Sequence, residues 1–350
     1  MAPLTTLRVG GPARYFVEAR SEAQLTEAIS YASRRRLPLF VLGGGSNLVV
    51  ADEGWPGLVL KVALPGMEYE GEGDNTIFYA AAGENWDDFV GLTVSKNCAG
   101  IECLSGIPGT VGGTPVQNVG AYGQEVSQTI FKVRVLEIAT GKIRELGNAE
   151  CRFAYRTSVF NTTEHSRYIV LEAGYRLTQS GQPMLEYADL KKFFAEASRP
   201  PTLQQVREAV RKIRRDKAML LVPGDDDCRS AGSFFKNPQV SQAEAARIRE
   251  LADQRAPEKT LPQYPGQSGL VKLSAAWLVE QSGFPKGYAR GPVGISRKHA
   301  LAIVNRGGAV ASDIVALKDE VQKKVFNLWG VRLQPEPEFV GFTTESVGTR

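Results

Sequence analysis

The apolar and polar residues at the start of the chain follow an order that predicts a strand and then a helix. Residues 14–19 are typical of a short strand. Ser21, with Gln24 three positions later, forms the capping-box pattern of a helix start, and apolar residues then recur at helical spacing over positions 25–32. Arginines at 34–36 fall where this helix should end, since cations are favoured at the negative end of the helix dipole.

Later apolar runs predict a chain rich in strands and interrupted by helices. The predicted strands are residues 39–42, 48–50, 77–81, 132–138, 143–146 and 168–177. Residues 85–94 are predicted to form a helix, and residues 139–142 a hairpin turn between two of the strands.

A further helix, beginning near Leu203, places apolar and basic residues on opposite faces. Its inward positions are Leu203, Val206, Val210 and Ile213, and its other face holds Arg207, Arg211, Arg214 and Arg215. The Arg-Pro-Pro-Thr sequence at 199–202 directly before this helix predicts a domain boundary.

The composition is that of a globular protein with about two domains. The chain has 350 residues, of which 43% are hydrophobic and 23% charged, and this excludes the disordered, collagen-like and coiled-coil classes. No apolar run approaches the roughly 18 residues that a membrane helix needs. The first residues lack the basic and apolar parts of a signal peptide. We therefore expect a soluble, cytoplasmic protein.

Charge and cysteine content narrow the function only slightly. A net charge of +4 suits an anionic small molecule and nucleic acid equally well. The four cysteines form no Cys-x-x-Cys pair, and neither His165 nor His299 is near them in sequence. We therefore expect free thiols and no metal site.

Gly43–Asn47 is the first candidate ligand-binding loop. Small residues let backbone N–H groups approach a diphosphate closely. The segment is not a dinucleotide-binding fingerprint of the Rossmann type, because Leu48 opens a predicted strand where that fingerprint requires a helix. A glycine-rich hairpin is an equally good interpretation of this segment alone.

The uncharged segment 105–123 favours ligand binding more strongly. It carries glycines at 106, 109, 112, 113, 120 and 123. A long uncharged glycine loop builds no core and exposes many backbone donors, which suits a dianionic cofactor met by amides rather than by charged side chains.

Two segments place charged residues where catalysis could use them. Arg152 and Arg156 stand at helical spacing beside Tyr155, and a solvated helix face is the alternative interpretation. Glu336 and Glu338 lie on an extended segment marked by prolines, for which the alternative is the edge of a surface strand. The Gly-x-Ser-x-Gly elbow of serine hydrolases is missing from the sequence.

The segment 230–238 combines a tight turn of small residues with two phenylalanines and three polar groups. A turn in the core explains Phe234 and Phe235 but not the polar residues Ser233, Lys236 and Asn237 around them. This segment is therefore a third candidate for a reactive site.

Taken in order, these motifs resemble those of one family, the UDP-N-acetylenolpyruvoylglucosamine reductases, which are flavoenzymes of peptidoglycan synthesis. The matching motifs are TLRVGGPA (6–13), LGGGSN (42–47), GIPGTVGG (106–113), QNVGAYG (117–123), CRFAYR (151–156), AGSFFKNP (231–238) and PE (335–336). Each motif alone is weak, but together and in this order they are highly specific.

The resemblance implies an α+β fold in which an FAD-binding fold of the vanillyl-alcohol oxidase type, made of two α+β subdomains, precedes an α+β substrate-binding domain. The implied boundaries are 1–64 and 65–198 for the FAD-binding subdomains and 199–330 for the substrate-binding domain. Residues 331–350 would form a C-terminal segment that brings the catalytic glutamate back to the flavin.

The resemblance also assigns roles to residues of this chain. The implied catalytic residues are Arg156, Ser233 and Glu336. The residues implied to hold FAD without a covalent bond are Gly43, Gly44, Gly45, Ser46, Asn47, Ile107, Pro108, Gly109, Thr110, Gly113, Gly120, Tyr122 and Gly123. The residues implied to bind substrate are Tyr155, Tyr187, Arg214, Lys217, Asn237, Tyr264 and Lys272. Residues 182–187 resemble the subclass in which a mobile loop places a tyrosine over the substrate diphosphate.

The reaction implied is the NADPH-dependent reduction of UDP-N-acetylglucosamine enolpyruvate to UDP-N-acetylmuramate, a step of cell-wall synthesis that serves cell shape and division. Hydride passes from NADPH to FAD and then to the enolpyruvyl methylene. Ser233 protonates the resulting enolate, which Arg156 and Glu336 stabilise. The implied enzyme is a cytoplasmic UDP-N-acetylmuramate dehydrogenase that acts as a monomer, without nucleic-acid or membrane partners.

Two other interpretations are weaker. One is another FAD-dependent oxidase or dehydrogenase of the same fold, and the other is a non-catalytic nucleotide- or nucleic-acid-binding module. The basic residues of the helix from Leu203 are confined to that helix and lack an aromatic platform, which fits a diphosphate better than nucleic acid.

The sequence departs from the family pattern at two places. Residues 218–229 replace a shorter Leu-Pro-Asp-Pro link, and Pro337-Glu338 stand where many members have Val-Arg.

Overall fold

The protein is described by a computed structural model that covers residues 1–343. Residues 344–350 of the predicted C-terminal segment lie outside the described residues. The strands are β1 (Ala13–Ala19), β2 (Leu39–Leu42), β3 (Leu48–Val50), β4 (Trp55–Val62), β5 (Met67–Glu72), β6 (Asn75–Ala81), β7 (Cys98–Ala99), β8 (Gly120–Ala121), β9 (Gln124–Glu125), β10 (Ile130–Glu137), β11 (Ile143–Gly147), β12 (Tyr168–Gln179), β13 (Gln239–Val240), β14 (Gln263–Pro265), β15 (Val271–Leu273), β16 (Ala289–Arg290), β17 (Val293–Ile295), β18 (Ile303–Asn305) and β19 (Glu338–Val340).

The α-helices are α1 (Glu22–Arg34), α2 (Trp86–Ser95), α3 (Asn148–Cys151), α4 (Ala188–Phe193), α5 (Leu203–Asp216), α6 (Gln242–Arg255), α7 (Ala275–Glu280) and α8 (Ala311–Trp329). Short 3₁₀ helices lie at Ala2–Leu4, Glu102–Leu104, Val111–Gly113, Val126–Gln128, Val159–Asn161, Asp226–Cys228 and Gln267–Gly269. Within residues 1–343, no helix is both long and apolar enough to cross a membrane.

The chain forms two compact units, and each is interrupted in sequence. The larger unit consists of Ala13–Gly45 and Trp55–Leu221. The smaller unit consists of Met1–Pro12, Ser46–Gly54 and the described residues from Val222 to residue 343. The chain thus passes from the larger unit to the smaller one inside the predicted glycine loop, between Gly45 and Ser46. The domain boundaries given above stay a prediction.

A parallel three-stranded sheet opens the larger unit, in the order β1–β4–β2. Helix α1 connects β1 to β2, as a crossover between parallel strands requires. Its first residue follows Ser21, whose hydroxyl accepts a hydrogen bond from the Gln24 N–H at 3.3 Å. Leu25, Ala28 and Ala32 of α1 are buried in the core of this unit.

The second sheet of the larger unit is antiparallel, in the order β11–β10–β12–β6–β5, with β7 beside β12. Helix α2 packs on it through aromatic rings, and the centroids of Phe89 and Tyr175 are 4.9 Å apart. The buried Trp86 of this helix donates its indole N–H to the Leu104 carbonyl at 3.0 Å. Helix α2 therefore anchors the segment that leads into the second glycine loop.

The smaller unit joins two segments from the early part of the chain to the last described residues. Strand β3 pairs in parallel with β19, and the Ala51 N–H donates to the Val340 carbonyl at 2.8 Å. Two three-stranded sheets, β13–β15–β14 and β16–β17–β18, complete its strands. The core of this unit is closed by α8, where Trp329 packs on Trp277 at a ring distance of 5.2 Å.

The predicted strands and helices are confirmed within two residues at nearly every end. The turn predicted at 139–142 joins β10 to β11, and the Gly141 N–H donates to the Glu137 carbonyl at 2.8 Å. Arg214, which the pattern places on the face of α5 opposite the apolar positions, is buried, with 5% exposure. The sequence analysis did not predict α6, α7 or α8.

Candidate active site

The two glycine loops contact each other closely within the larger unit, which contains residues 43–45 of the first loop and the whole of the second. A Cβ atom on Gly44 would lie 2.5 Å from the Cα of Gly109 and 3.0 Å from the Thr110 nitrogen. Real Cβ atoms do not approach backbone this closely, so the contact requires glycine at position 44. The two predicted glycine loops, 43–47 and 105–123, are therefore packed directly against each other.

The hydroxyl of Thr110 is buried where these loops meet. Within the described residues it has no hydrogen-bond partner. A buried hydroxyl without a partner is costly, and such groups in native proteins usually await a ligand or water. A Cβ on Gly43 would stand 3.2 Å from this oxygen, which is a tight contact that the Thr110 side chain would have to relieve.

The second loop is held at Gly106 by charged residues of two helices. The carboxylate of Asp87, in the first turn of α2, accepts hydrogen bonds from the Gly106 N–H at 2.6 Å and from Arg207 of α5 at 2.6 Å. Arg211 of α5 also donates to this carboxylate. The Gly106 carbonyl accepts a hydrogen bond from Arg214 Nε at 3.0 Å.

These contacts control the ionisation of Asp87. Burial acts to raise the pKa of its carboxyl, but the hydrogen bonds from Arg207 and the Gly106 amide, with the charges of Arg207 and Arg211, hold that pKa below its ordinary value. Asp87 is therefore ionised at neutral pH. The Arg207 side chain does not lie on a solvated helix face, because it is 14% exposed and paired with this carboxylate.

Arg214 is built into the same structure and is buried. Its Nη2 donates to the Met219 carbonyl at 2.7 Å, in addition to the Nε bond to Gly106. Burial lowers the pKa of its guanidinium, against the opposing influence of the Tyr122 hydroxyl. Burial also raises the pKa of Tyr122. Arg214 and Tyr122 thus form a buried polar pair that contacts the second glycine loop at Gly106.

Arg156 occupies a left-handed turn and not a helix face. Helix α3 ends at Cys151, and Arg152 and Arg156 have φ values of +47° and +59°. The helical interpretation of this segment is therefore wrong. Arg156 Nη2 donates to the Gly120 carbonyl at 2.7 Å, and the guanidinium lies 5.2 Å from the ring centre of Tyr155. A non-glycine residue at positive φ is strained, and such strain is often found at functional sites.

The segment around Tyr187 is anchored by a backbone hydrogen bond at Met184, whereas the Tyr187 side chain is exposed. The Met184 N–H donates to the buried Glu102 carboxylate at 3.0 Å. Tyr187 is 43% exposed and packs edge-on against Tyr122 at 5.2 Å. Two residues further, the Asp189 carboxylate lies 2.5 Å from Lys217 Nζ.

In the smaller unit, backbone hydrogen bonds bring the segments of Ser233 and Glu336 together. The Glu336 N–H donates to the Phe234 carbonyl at 2.9 Å, and Lys236 N–H donates to the Gln334 carbonyl at 2.9 Å. Asn47 Nδ2 donates to the Glu336 carbonyl at 3.2 Å, so the end of the first glycine loop reaches the same place.

The Ser233 hydroxyl has a partner that the sequence analysis missed. Its Oγ lies 3.0 Å from His299 Nε2. Phe234 N–H donates to the Leu301 carbonyl at 2.7 Å, which fixes the two segments against each other. No local pattern around His299 signals this contact, because the two residues are 66 positions apart.

The predicted substrate residues of the smaller unit lie on neighbouring strands. Tyr264 on β14 is the cross-strand partner of Lys272 on β15. Asn237 stands just before β13, and its Oδ1 accepts a hydrogen bond from the Ala275 N–H at 2.9 Å.

The predicted site residues divide between the two units. The larger unit contains Gly43, Gly44, Gly45, Ile107, Pro108, Gly109, Thr110, Gly113, Gly120, Tyr122, Gly123, Tyr155, Arg156, Tyr187, Arg214 and Lys217. The smaller unit contains Ser46, Asn47, Ser233, Asn237, Tyr264, Lys272 and Glu336.

Comparison with known proteins places this site in a class. Residues 13–147, which include both glycine loops, match a family model described as "FAD binding domain". The protein is therefore an FAD-binding flavoprotein. Residues 223–340 match the model described as "UDP-N-acetylenolpyruvoylglucosamine reductase, C-terminal domain". With a relative that is 47% identical over nearly its whole length, the chain belongs to the UDP-N-acetylenolpyruvoylglucosamine reductases.

That relative is the reductase of Thermobifida fusca, and the match covers 98% of this chain and 97% of the relative. The reductase of Streptomyces coelicolor is 44% identical over 97% of this chain and 89% of its own length. Among solved structures, the Thermus caldophilus reductase is 26% identical, with a TM-score of 0.66 over 97% of this chain and 96% of that one. The predicted fold class, an FAD-binding α+β fold followed by a second α+β domain, is confirmed.

The residues present fit FAD. Gly44 is exposed beside Gly109, which suits the close approach of a diphosphate to backbone amides. The Thr110 hydroxyl supplies a buried polar group without another partner in the described chain. No negatively charged side chain belongs to either glycine loop, which suits a dianion.

Proposed function

We propose that this protein reduces UDP-N-acetylglucosamine enolpyruvate to UDP-N-acetylmuramate with NADPH as reductant, as one step of peptidoglycan synthesis. Membership of the reductase family and the match to the FAD-binding domain support this reaction. The structural observation that carries it is the smaller unit's pairing of Ser233 and Glu336 segments through the Glu336 N–H and the Phe234 carbonyl.

The glycine loops, with Thr110, Tyr122 and Asn47, would hold the cofactor. The chemistry that bound FAD would supply is hydride transfer between NADPH and the substrate. The chain's own contribution here is binding and orientation. The Gly106 N–H donates to Asp87 and the Gly106 carbonyl accepts from Arg214, and these two bonds fix the second loop before any ligand arrives.

Arg156 is proposed to bind the carboxylate of the enolpyruvyl group. Addition of hydride at the methylene moves negative charge onto these carboxylate oxygens, because they are conjugated with the double bond. A planar guanidinium offers paired, charge-assisted hydrogen bonds that strengthen as this charge grows. The bond from Nη2 to the Gly120 carbonyl holds the guanidinium in place.

Ser233 is proposed to protonate the carbon beside the carboxylate, and Glu336 to share the enolate with Arg156. A serine hydroxyl is a weak acid, but the carbon of an enolate is a strong base. The backbone bonds around Phe234 keep both side chains on adjoining segments, which removes the entropy cost of bringing them together.

The substrate diphosphate is proposed to bind Tyr187, Arg214 and Lys217. Four further residues are proposed to contact other parts of the substrate: Tyr155, Asn237, Tyr264 and Lys272. The exposure of Tyr187 and its attachment through Met184 support the subclass with a mobile tyrosine loop. We further propose that the enzyme acts as a monomer in the cytoplasm, on a small molecule, without nucleic-acid or membrane partners.

An anaerobic spectrum of the purified protein tests this proposal. NADPH should bleach the absorption of bound FAD, and UDP-N-acetylglucosamine enolpyruvate should restore it. Bleaching without recovery would retain the flavin and exclude this substrate. A colourless protein that takes up no added FAD would overturn the proposal altogether.

The role of Ser233 is tested by Ser233→Ala. We expect FAD reduction by NADPH to be unchanged while product formation falls by about 10²-fold or more, since only the proton donor is lost. Ser95→Ala, at an exposed serine on α2, serves as the control. Equal turnover in Ser233→Ala and the wild type would remove Ser233 from this role.

A further inference from the structure

We propose that His299 is a positioning residue that acts through Ser233, by donating a hydrogen bond from Nε2 to the Ser233 oxygen. The inference rests on the proposed role of Ser233 as proton donor. The observation that supports the inference is the 3.0 Å distance between Ser233 Oγ and His299 Nε2. Both residues are half-buried and belong to the smaller unit.

The direction of this hydrogen bond decides what the serine can do. If the ring nitrogen accepted, the hydroxyl proton would point at His299 and away from the substrate. If Nε2 carries the hydrogen, the ring donates to Oγ, and the hydroxyl proton is left for another acceptor. Only the second arrangement suits a proton donor.

The bonding changes in the protonation step explain why a donor helps. The Ser233 O–H bond breaks, a C–H bond forms at the substrate carbon, and the electron pair of the O–H bond remains on Oγ. A donor fixed at Oγ stabilises this developing negative charge, as oxyanion donors do in other enzymes. After the product forms, a proton from water restores the hydroxyl.

The loop that carries His299 is fixed by hydrogen bonds to the buried carboxylate of Asp227. The His299 N–H donates to Ser296 Oγ at 3.2 Å, and Ser296 Oγ donates to Asp227 at 3.2 Å. Asp227 also accepts from the Arg297 N–H at 2.9 Å and from Arg297 Nε at 3.3 Å. Asp227 is 1% exposed and Ser296 is fully buried.

Asp227 lies in segment 218–229, where this chain departs from the family pattern. The segment is held by two ion pairs to the His299 loop, Asp227 with Arg297 and Asp225 with Lys298 at 2.9 Å. The longer segment therefore fixes the backbone of the loop from which the His299 side chain contacts Ser233.

The experiment compares His299→Gln, His299→Asn and His299→Ala in the FAD-loaded enzyme. A Gln amide can reach Oγ as a donor, whereas an Asn amide is one methylene shorter and an Ala methyl donates nothing. FAD reduction by NADPH and KM for the enolpyruvyl substrate should stay near wild type in all three. We expect kcat to fall about 10²-fold in His299→Ala and His299→Asn, and to recover to within about 5-fold of wild type in His299→Gln.

A double variant separates action through Ser233 from an independent effect. In the Ser233→Ala background, His299→Ala should lower product formation by less than about 2-fold, because the oxygen on which the ring acts is already gone. The exposed His165, changed to Asn, is the matched control and should behave as wild type.

Three results would overturn the inference. They are wild-type turnover in His299→Ala, equal losses in His299→Gln and His299→Asn, or a full further loss on adding His299→Ala to Ser233→Ala. If His299→Ala loses FAD or unfolds, the Gln and Asn pair decides the question. Normal turnover in Ser233→Ala alone would instead refute the proposed role of Ser233, so the two failures are distinguishable.

Discussion

Lys217 Nζ lies 2.5 Å from the carboxylate of Asp189, so a residue predicted to bind the substrate diphosphate already holds an anion of its own chain. Both side chains are more than a third exposed, which makes this a weak ion pair that solvent screens. Asp189 follows Tyr187 by two residues. The pair therefore connects the predicted diphosphate ligand to the tyrosine segment.

We predict that Asp189→Asn lowers KM for the UDP substrate. A diphosphate must displace the Asp189 carboxylate from Lys217, and an exposed ion pair contributes up to about 1 kcal/mol, which corresponds to about a 5-fold change. Steady-state KM and the dissociation constant of UDP measure this. Asp216→Asn, which releases the exposed Lys212 from its pair at 2.9 Å, is the control. A higher KM in Asp189→Asn would mean that Asp189 positions Lys217 instead of competing for it.

Asp87→Asn should lower both stability and FAD affinity. The change removes the charge that Arg207 and Arg211 face and weakens the bond from the Gly106 N–H, so we expect a loss of about 2 kcal/mol in the free energy of unfolding. Urea unfolding and a titration of the apoprotein with FAD measure the two effects. The neighbouring Asp88, which is exposed, gives the matched control Asp88→Asn. Equal losses in both variants would contradict the role given to Asp87.

The same carboxylate predicts a dependence on pH. Its folded pKa lies below the ordinary value, so its stabilising contribution is complete above an unfolded pKa of about 3.9 and is lost as the pH falls through the folded pKa. The stability difference between wild type and Asp87→Asn should be constant from pH 7 to about pH 5 and should shrink below about pH 4. A difference that persists undiminished well into the acid range would argue against this ionisation.

Thr110→Val should change stability and cofactor binding in opposite directions. The buried hydroxyl has no partner in the described part of the chain, so an isosteric methyl group should leave the apoprotein as stable as before or more stable. FAD affinity should fall, because the hydroxyl is the polar group left for the ligand. Thr114→Val is the contrast, since that hydroxyl bonds to the Val111 carbonyl at 2.8 Å and to Tyr175 at 2.7 Å, and its loss should destabilise the apoprotein. An apoprotein weakened by Thr110→Val would point to a structural role.

Gly44→Ala should separate the two glycine loops. Its Cβ would meet the Gly109 backbone at 2.5 Å, and backbone atoms can move aside only by shifting the whole loop. We expect FAD affinity to fall at least about 10-fold, as measured by the fraction of purified protein that retains flavin. Gly71→Ala, where a Cβ would meet nothing within 4 Å, should retain its flavin. Full occupancy in Gly44→Ala would contradict the close approach of the loops.

The sequence predicts best the features that depend on neighbouring residues. The helix start at Ser21 and the strand at 39–42 follow from local pattern and lie where predicted. Helix α8 also carries a local signal, the buried residues Ile314, Leu317 and Val321 at helical spacing, which the sequence analysis did not use.

The features that escaped prediction join residues far apart in sequence. Asp87 and Arg207 are 120 positions apart, and neither α2 nor α5 alone indicates that the other supplies its counter-charge. The left-handed turn at Arg156 is equally hidden, because helical spacing in sequence says nothing about a positive φ that tertiary contacts impose.

The pairing of β3 with β19 has a consequence for how the protein is made. Asn47 and Glu336, at the ends of this pairing, are 289 positions apart, so the first strand of the smaller unit emerges from the ribosome long before its partner. The larger unit, whose last residue is Leu221, has its whole sequence available much earlier. Domains generally fold as units during synthesis. Residues 46–54, which lie in sequence between the two segments of the larger unit, therefore have no strand partner while the larger unit folds. Premature termination near residue 335 would leave β3 without its partner strand β19.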